Sequence, residues 1–439
     1  MYTIKDILRI QVAPALGCTE PAAVALCTAA AGSLLSDREL EAMELWVDPG
    51  IYKNAFAVSI PGAEGAVGTA WAGALGFYGG DPNLKLQVLE PITGDSMEKA
   101  RRLIEAGKVK IDLLKDKEGI YIKAKLTTAG EVAEAVIEDS HDDLKSLKHN
   151  GVPVQNHTLL SSSTEDHSEI YRLEEFLRSR TLEELIALVE EMDDEDFDFV
   201  MEGVKYNLEL SKHGLTFGGG LAVGKTLELL VEKGFAKKDM ILDARILTSS
   251  ACDARMSGAK LPAMSSAGSG NQGLTAVLPI WAVKEHMSNL DPKQVLKAIA
   301  LSHVVTGYIK SHTGRLSAVC GCSVAAGAGA AAGVAYLMGG NLRQIASAIK
   351  DLIGDLAGVI CDGAKASCAL KLATAAGTAV QAALFSLHGL DVKDSDGIIA
   401  FTPEQTLRNV GQISTQGMIE TDRVILQIMI EKQFGGKSQ

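Results

Sequence analysis

The run Ala318-Val-Cys-Gly-Cys-Ser-Val-Ala-Ala-Gly-Ala-Gly-Ala-Ala-Ala-Gly-Val-Ala-Tyr-Leu-Met-Gly-Gly340 carries no charged side chain, and charge is absent from Arg315 to Arg343. Length alone would let such a stretch cross a bilayer. Its composition argues otherwise, because Ala and Gly supply little transfer free energy beside Leu or Ile. Small residues let backbones approach closely, so the run reads as the centre of a helical domain. That reading sets the second half of the fold. From about Asp243 onward the chain is Gly/Ala-rich and helical, with few strand signals.

The first half has a different texture. Residues 4–35 read as helical with a Pro-containing break at Cys18, and a further helix is expected over Ala66–Gly76 after the turn Pro61–Gly65. Alternating or apolar stretches suggest strands at Glu41–Val47, Ala55–Ile60, Leu84–Leu89, Val109–Leu114, Ile120–Leu126 and Glu131–Glu138. The polar segment Ser161–Asp166 marks a linker and offers a helix cap, and 167–235 reads as charged amphipathic helices. The expected fold is an α+β N-terminal domain followed by a mostly α-helical, Gly/Ala-rich C-terminal domain. Its parts are an α+β domain at 1–160 carrying Cys18, a helical connecting segment at 161–240 and a helical domain at 241–439.

Composition narrows the function. A chain of 439 residues with net charge −13 and pI near 5.3 is poorly suited to nucleic acid, whose phosphates call for clustered Lys and Arg. The N-terminus is interrupted by charges and reads as no signal peptide. Seven cysteines at uneven spacing do not resemble a disulfide framework, so reduced thiols or metal ligands in a cytoplasmic protein are expected. Apolar faces on Ala/Gly-rich helices lead us to expect a homodimer with no membrane partner.

Two motif matches are weak in context. Gly219-Gly-Leu-Ala-Val-Gly-Lys-Thr226 satisfies the phosphate-loop pattern, but no strand precedes it to aim the loop. Gly268-Ser-Gly-Asn-Gln-Gly273 matches a dinucleotide fingerprint, yet Pro262 spoils the strand before it and no βαβ unit surrounds it. A Ser/Gly loop opening a helix is still an anion site, which makes Ser265, Ser266, Gly268, Ser269, Gly270 and Asn271 candidate contacts for a substrate carboxylate. Asn54, beside an apolar run, and Glu20, in the first turn after Cys18, are further candidates for substrate binding.

Four cysteines stand in small-residue, polar-edged settings: Cys18 in Ala15-Leu-Gly-Cys-Thr-Glu-Pro21, Cys322 in Cys320-Gly-Cys-Ser323, and Cys361 with Cys368 in Cys361-Asp-Gly-Ala-Lys-Ala-Ser-Cys368. Thiolates favour iron–sulfur clusters, zinc and copper(I), and a cluster needs three or four of them converging. Cys27, Cys252 and Cys320 read as small core residues, and His213 and His303 as structural or surface groups.

These motifs carry a resemblance. Ser265-Ser-Ala-Gly-Ser-Gly-Asn-Gln-Gly273, Gly321-Cys322, Cys361-Asp-Gly363 and Ser367-Cys-Ala369 are similar to segments of iron–sulfur L-serine dehydratases, as is Gly65-Ala-Val-Gly-Thr-Ala70 to their β-domain. Ala15–Pro21 and Cys361–Ala369 together resemble the single-chain relatives, the L-cysteine desulfidase family, over most of the chain. The resemblance implies a [4Fe–4S] cluster held by Cys322, Cys361 and Cys368, with one iron open to a small amino-acid substrate. Cys18 stands where the dehydratases have a catalytic histidine, and a second dehydratase histidine is absent from Gly65–Thr69. Cys18 is therefore open as base, sulfur carrier or additional ligand.

An open iron can act as a Lewis acid on a carboxylate and a leaving heteroatom, and a thiolate leaving group suits it. The expected activity is β-elimination from L-cysteine to pyruvate, ammonia and sulfide, with Cys18, Lys310, Lys365 and His312 as candidate bases. L-serine dehydration with the same cluster is the alternative. A pyridoxal-phosphate β-eliminase using Lys365 or Lys310, or a non-catalytic cluster protein, completes the set.

Overall fold

The computed structural model describes residues 2–63, 65–117, 119–160, 165–314 and 317–435. Glu64 of the expected turn, Arg315 at the edge of the charge-free run and residues 161–164 of the expected linker cap lie outside them.

The chain opens with α1 (Ile4–Gln11), β1 (Pro14–Leu16) and α2 (Thr19–Gly32), then β2 (Ala42–Val47), α3 (Pro49–Ala55), α4 (Thr69–Gly79) and α5 (Gly94–Glu105). There follow β3 (Val109–Leu113), β4 (Tyr121–Thr127), β5 (Val132–Glu138), β6 (Leu144–His149) and β7 (Val152–Pro153). Six strands form one sheet in the order β3-β2-β4-β5-β6-β7, with only β2–β3 parallel. Along β4 and β5, Ile122, Ala124, Leu126, Ala133, Ala135 and Ile137 are buried beneath α2. The opposite face carries the cross-strand pairs Lys123–Glu134 and Lys125–Glu44, as expected of an antiparallel sheet with one wet side.

Two expected strands are not strands. Asp48 caps a helix with Pro49 in its first turn, and α3 runs on to Ala55, where the apolar run 55–60 was expected to begin a strand. Only Ser59 in that run makes a bridge, to Val67. Residues Pro82–Gln87 form a 3-10 helix, because Asp81 caps it and Pro82 cannot donate to a sheet ladder.

The second half is helical: α6 (Glu165–Arg178), α7 (Leu182–Glu190), α8 (Asp194–Phe217), α9 (Val223–Glu232) and α10 (Met240–Met256), then β8 (Pro262–Met264). After β8 come α11 (Gly270–Glu285), α12 (Pro292–Thr313), α13 (Ala325–Leu337), α14 (Leu342–Leu356), α15 (Cys368–Leu387), α16 (Pro403–Gln412) and α17 (Ile419–Gly435). The α+β and helical halves match the expected fold class. The decisive Ala/Gly run forms α13, which packs among α11, α12, α14 and α15. A Cβ on Gly329 would stand 2.5 Å from the Ser302 carbonyl oxygen, so the close α12–α13 crossing requires glycine. Among the described residues one helix, α15, is long and apolar enough to cross a membrane, but 61% of that window is buried inside the protein.

The chain ends cross over. Ile4, Ile7 and Leu8 of α1 pack into the helical core, while Leu426 of α17 is buried in the α+β core. β1 pairs antiparallel with β8, Pro14 opposite Met264 and Leu16 opposite Pro262. This pairing brings the segment before Cys18 onto the loop that opens α11.

Candidate functional site

A cavity of about 190 Å³ lies where these segments meet, the size of a small molecule rather than a macromolecule. On its N-terminal side β1 ends at Leu16, Gly17 takes φ +71° and Cys18 stands at the head of α2. A Cβ on Gly17 would lie 2.3 Å from the Pro61 ring, so the turn closes only with glycine. Cys18 is 4% exposed, and burial pushes its thiol up to about 12 despite the Arg255 guanidinium beside it. Glu20 of the first α2 turn and the buried Asn54 of α3 line the same cavity.

The opposite wall is made of thiols. An isolated bridge pairs Val319 with Ile360, and its flanking bonds run from Cys320 N to Val359 O (2.9 Å) and from Cys361 N to Ala318 O (2.6 Å). Cys320 and Cys361 thus project to the same side of the bridge as diagonal neighbours. Cys322 follows in the turn before α13, and Cys368 begins α15; all four line the cavity. The hydrogen bond that Cys361 donates to Cys320, together with burial, raises the Cys361 thiol well above its usual value, and Cys320 is raised chiefly by its bond to Cys322. Thiols crowded in this way are costly to ionise unless a cation stands among them. Among the described residues, no three Cys, His, Asp or Glu side chains are grouped to hold a single metal ion.

Gly268, Ser269 and Asn271 line the cavity at the mouth of α11, and Ser269 makes no side-chain cap bond there. The rest of the expected carboxylate loop has other work. Ser265 Oγ donates to the Ala13 carbonyl (2.7 Å), locking β8 to β1, and Ser266 Oγ meets His303 Nδ1 at 3.0 Å. Gly270 packs against Arg255 outside the lining.

The candidate bases also separate. Lys310 lines the cavity, and burial lowers its ammonium to about 8 against the opposing pull of Cys361, Cys322 and Cys320. Lys365 is absent from the lining and ion-paired with Asp362 at 2.5 Å. His312 lies under α16 with its carbonyl 2.8 Å from where a Gly411 Cβ would stand, and burial lowers its ring to about 4. Neither is placed to take a proton from a ligand in this cavity.

The lining also holds residues that the sequence reading does not single out, among them Cys320, which it reads as packing, and Gln11, Glu174, Arg255, Gln272 and Lys371. Lys371 Nζ donates to Asp362 Oδ1 (2.6 Å) and the Ile360 carbonyl (2.8 Å), bracing the loop after Cys361. Burial would raise Asp362, but Lys365 and Lys371 outweigh it and hold its carboxyl at about 2. The phosphate-loop match also finds its explanation. The Leu221 and Gly224 amides donate to Asp253 Oδ1 (3.3 Å) and Oδ2 (3.0 Å), so an internal carboxylate fills the loop, and helix α8 precedes it.

A sheet domain and an Ala/Gly-rich helical domain around a thiol-lined, small-molecule cavity define a serine dehydratase-like protein. Residues 83–427 match the serine dehydratase alpha chain family, and the chain belongs to that family. It is 55% identical over 435 residues to a UPF0597 protein of Desulfatibacillum aliphaticivorans, covering 99% of each chain. It is 51% identical over 436 residues to one of Desulfotalea psychrophila, covering 99% of this chain and 100% of the relative. A UPF0597 protein of Clostridioides difficile is 42% identical over 424 residues, covering 97% of this chain and 98% of the relative.

Proposed function

We propose that the chain is a non-redox iron–sulfur lyase that eliminates sulfide from L-cysteine, with Cys322, Cys361 and Cys368 holding a [4Fe–4S] cluster. The observation that carries this reading is the shared cavity: Cys18 from the sheet side faces Cys320, Cys322, Cys361 and Cys368 from the helical side. The donor set fits the group. Cysteine thiolates are the ligands that hold iron–sulfur clusters, and four of them line one wall of the cavity. Lys310 and Lys371, lining the same cavity, offset the negative charge of thiolate ligands.

A bound cluster with one iron free of protein ligands supplies a Lewis acid to the substrate carboxylate and leaving sulfur, without redox change. The protein's own residues do the rest. The first-turn amides of α11 open toward a carboxylate. Lys310, whose ammonium burial lowers to about 8, gives up its proton more readily than a free lysine and in its neutral fraction accepts the α-proton, while the buried, protonated Cys18 thiol in the same cavity gives a proton to the leaving sulfur. One C–S bond and one C–H bond break, aminoacrylate leaves, and water converts it to pyruvate and ammonia.

L-serine dehydration is the second reading, favoured by the family description itself. The pyridoxal-phosphate reading has no geometric support, because Lys365 is tied to Asp362 and Lys310 sits among thiols.

The test is anaerobic purification followed by absorbance and product assays. A broad shoulder near ~400 nm that bleaches in air, with sulfide and pyruvate released from L-cysteine, is the expected result. Pyruvate from L-serine at higher kcat/KM selects the second reading. A sharp aldimine band removed by hydroxylamine, or a colourless active protein, overturns both.

A further inference from the structure

The six-stranded sheet ends in two unlike edges. β7 is two residues long, both exposed, and the second is Pro153, so that edge is too short and too poor in donors to pair with another chain. β3 is five residues long without a proline, and among the described residues it pairs only with β2. Met43 N donates to the Lys108 carbonyl (2.8 Å) and Leu114 N to the Val47 carbonyl (2.9 Å), and in a parallel ladder the bonding residues alternate. Lys110 and Asp112 therefore turn their backbone groups to β2, while Val109, Ile111 and Leu113 turn their N–H and C=O groups outward. The core stops short at the same strand. Val109, Ile111 and Leu113 lie on the face of Met43, Leu45 and Val47, which are fully buried, yet all three stay half-buried.

An antiparallel strand centred on Ile111 would complete both the ladder and the core, and Val109-Lys-Ile-Asp-Leu113 is its own complement in that register. Ile111 stands opposite Ile111 of the second copy, Val109 opposite Leu113, and Lys110 opposite Asp112, each repeated by the two-fold axis. The outward-facing residues make the hydrogen-bonded pairs. Lys110 and Asp112 make the pairs between them, where side chains approach most closely. Their side chains are 67% and 35% exposed on the wet face and meet each other at 2.8 Å within the single chain. Sliding the strands two residues either way, the smallest step that keeps the faces, sets Lys110 against itself or Asp112 against itself. Beyond the strand, a Cβ on Gly107 would meet nothing within 4 Å, which leaves room for Lys115 of the second copy.

We infer that β3 pairs antiparallel with β3 of a second copy of this chain, joining two sheets into one across a two-fold axis. The charges select the partner, because a strand in any neighbouring register meets like charge. The pairing needs neither a cluster nor a substrate. It also moves the expected dimer contact from the Ala/Gly-rich helices to the sheet, since every residue of α13 except Tyr336 is buried within its own chain. One strand pair covers less than the ~1,200 Å² of a permanent interface, so a reversible dimer with Kd on the order of micromolar is expected.

Sedimentation velocity of the full chain, from about 1 to about 100 μM, tests the pairing, and the wild type is expected to pass from monomer to dimer across that range. Lys110→Asp sets like charges together at both symmetry-related pairs and is expected to weaken the dimer by about tenfold. Asp112→Lys is expected to do the same, and the double exchange Lys110→Asp/Asp112→Lys to bring it back within about threefold of wild type. Ile111→Pro removes an N–H that β2 does not use and is expected to leave a folded monomer, with circular dichroism as the check on folding. Should that variant not fold, the three charge variants on the wet face carry the test. A wild type that stays monomeric throughout, a dimer that survives Ile111→Pro, single exchanges without effect, or a folded double exchange as weak as the singles would each overturn the inference.

Discussion

Lys53 Nζ lies 2.6 Å from Asp422 Oδ1, joining α3 of the sheet domain to the last helix, 369 residues further along the chain. The lysine side chain is 3% exposed and the aspartate side chain 33%. The Lys53 carbonyl oxygen also stands 2.3 Å from where a Gly363 Cβ would be, so this helix supports the loop between Cys361 and Cys368. Asp422→Ala leaves a buried ammonium without its counter-charge, at a cost of about 3 kcal/mol. Chemical denaturation should show that loss, and the double variant Lys53→Met/Asp422→Leu should recover most of it. An unchanged midpoint in Asp422→Ala would mean that the pair contributes nothing to closing the site.

The thiol wall makes a graded prediction about iron. Cys361→Ala and Cys322→Ala are expected to lose bound iron and turnover together, because each removes one of three ligands. Cys320→Ala keeps the trio and is expected to retain iron. Cys27 Sγ donates to the Ala135 (3.4 Å) and Ile122 (3.7 Å) carbonyls between α2 and the sheet, away from the cavity, so Cys27→Ala keeps both iron and activity. Iron per chain, measured beside activity on anaerobic samples, checks all four variants. Iron lost from Cys320→Ala and kept in Cys322→Ala would exchange their roles.

Cys18 is separable from the ligand trio because it stands at the head of α2 beside Arg255, across the cavity. Cys18→Ala is expected to keep its iron and its ~400 nm absorbance while losing at least about a hundredfold in kcat. Cys18→Ser, which keeps a hydroxyl at the same site, should fall between alanine and wild type. Loss of the absorbance in Cys18→Ala would make it a ligand and overturn its role as a proton donor.

The sequence shows the two-part architecture clearly where a single period governs burial. The Ala/Gly run of α13 and the alternation of β4 and β5 are both legible because every buried position follows one rule. β6 is not: a register shift opposite Val136/Ile137 breaks its alternation, and its Leu-Lys-Ser-Leu-Lys-His pattern buries only Leu144 and Leu147. The site divides in the same way. Cysteines in glycine-rich turns announce themselves, whereas Arg255, Gln272 and Gln11 become visible only when three distant glycines make room for them. The sequence reads Cys320 as packing because a single buried cysteine is usually a small core residue; the bridge between Val319 and Ile360 is what turns it toward the cavity.

His303 gives a stability test independent of catalysis. Its ring is 3% exposed, bonded to Ser266, and lowered by burial from 6.5 to about 4. Between those values the unfolded chain binds a proton that the folded chain refuses, so this residue makes stability fall as pH drops from 6.5 toward 4. Above 6.5 the ring is neutral in both states and the effect vanishes. Asp48, Asp253 and Asp351 act with the opposite sign. Burial raises each to about 6, so the folded state binds their protons first and gains stability as pH falls through that value. The slope of the wild type alone therefore mixes both effects, and a difference measurement isolates the histidine. His303→Gln, compared with wild type by urea unfolding at pH 7 and pH 4, should gain about 3 kcal/mol relative to wild type on acidification. A constant gap between the two proteins at both pH values would show that the ring is not held neutral in the folded state.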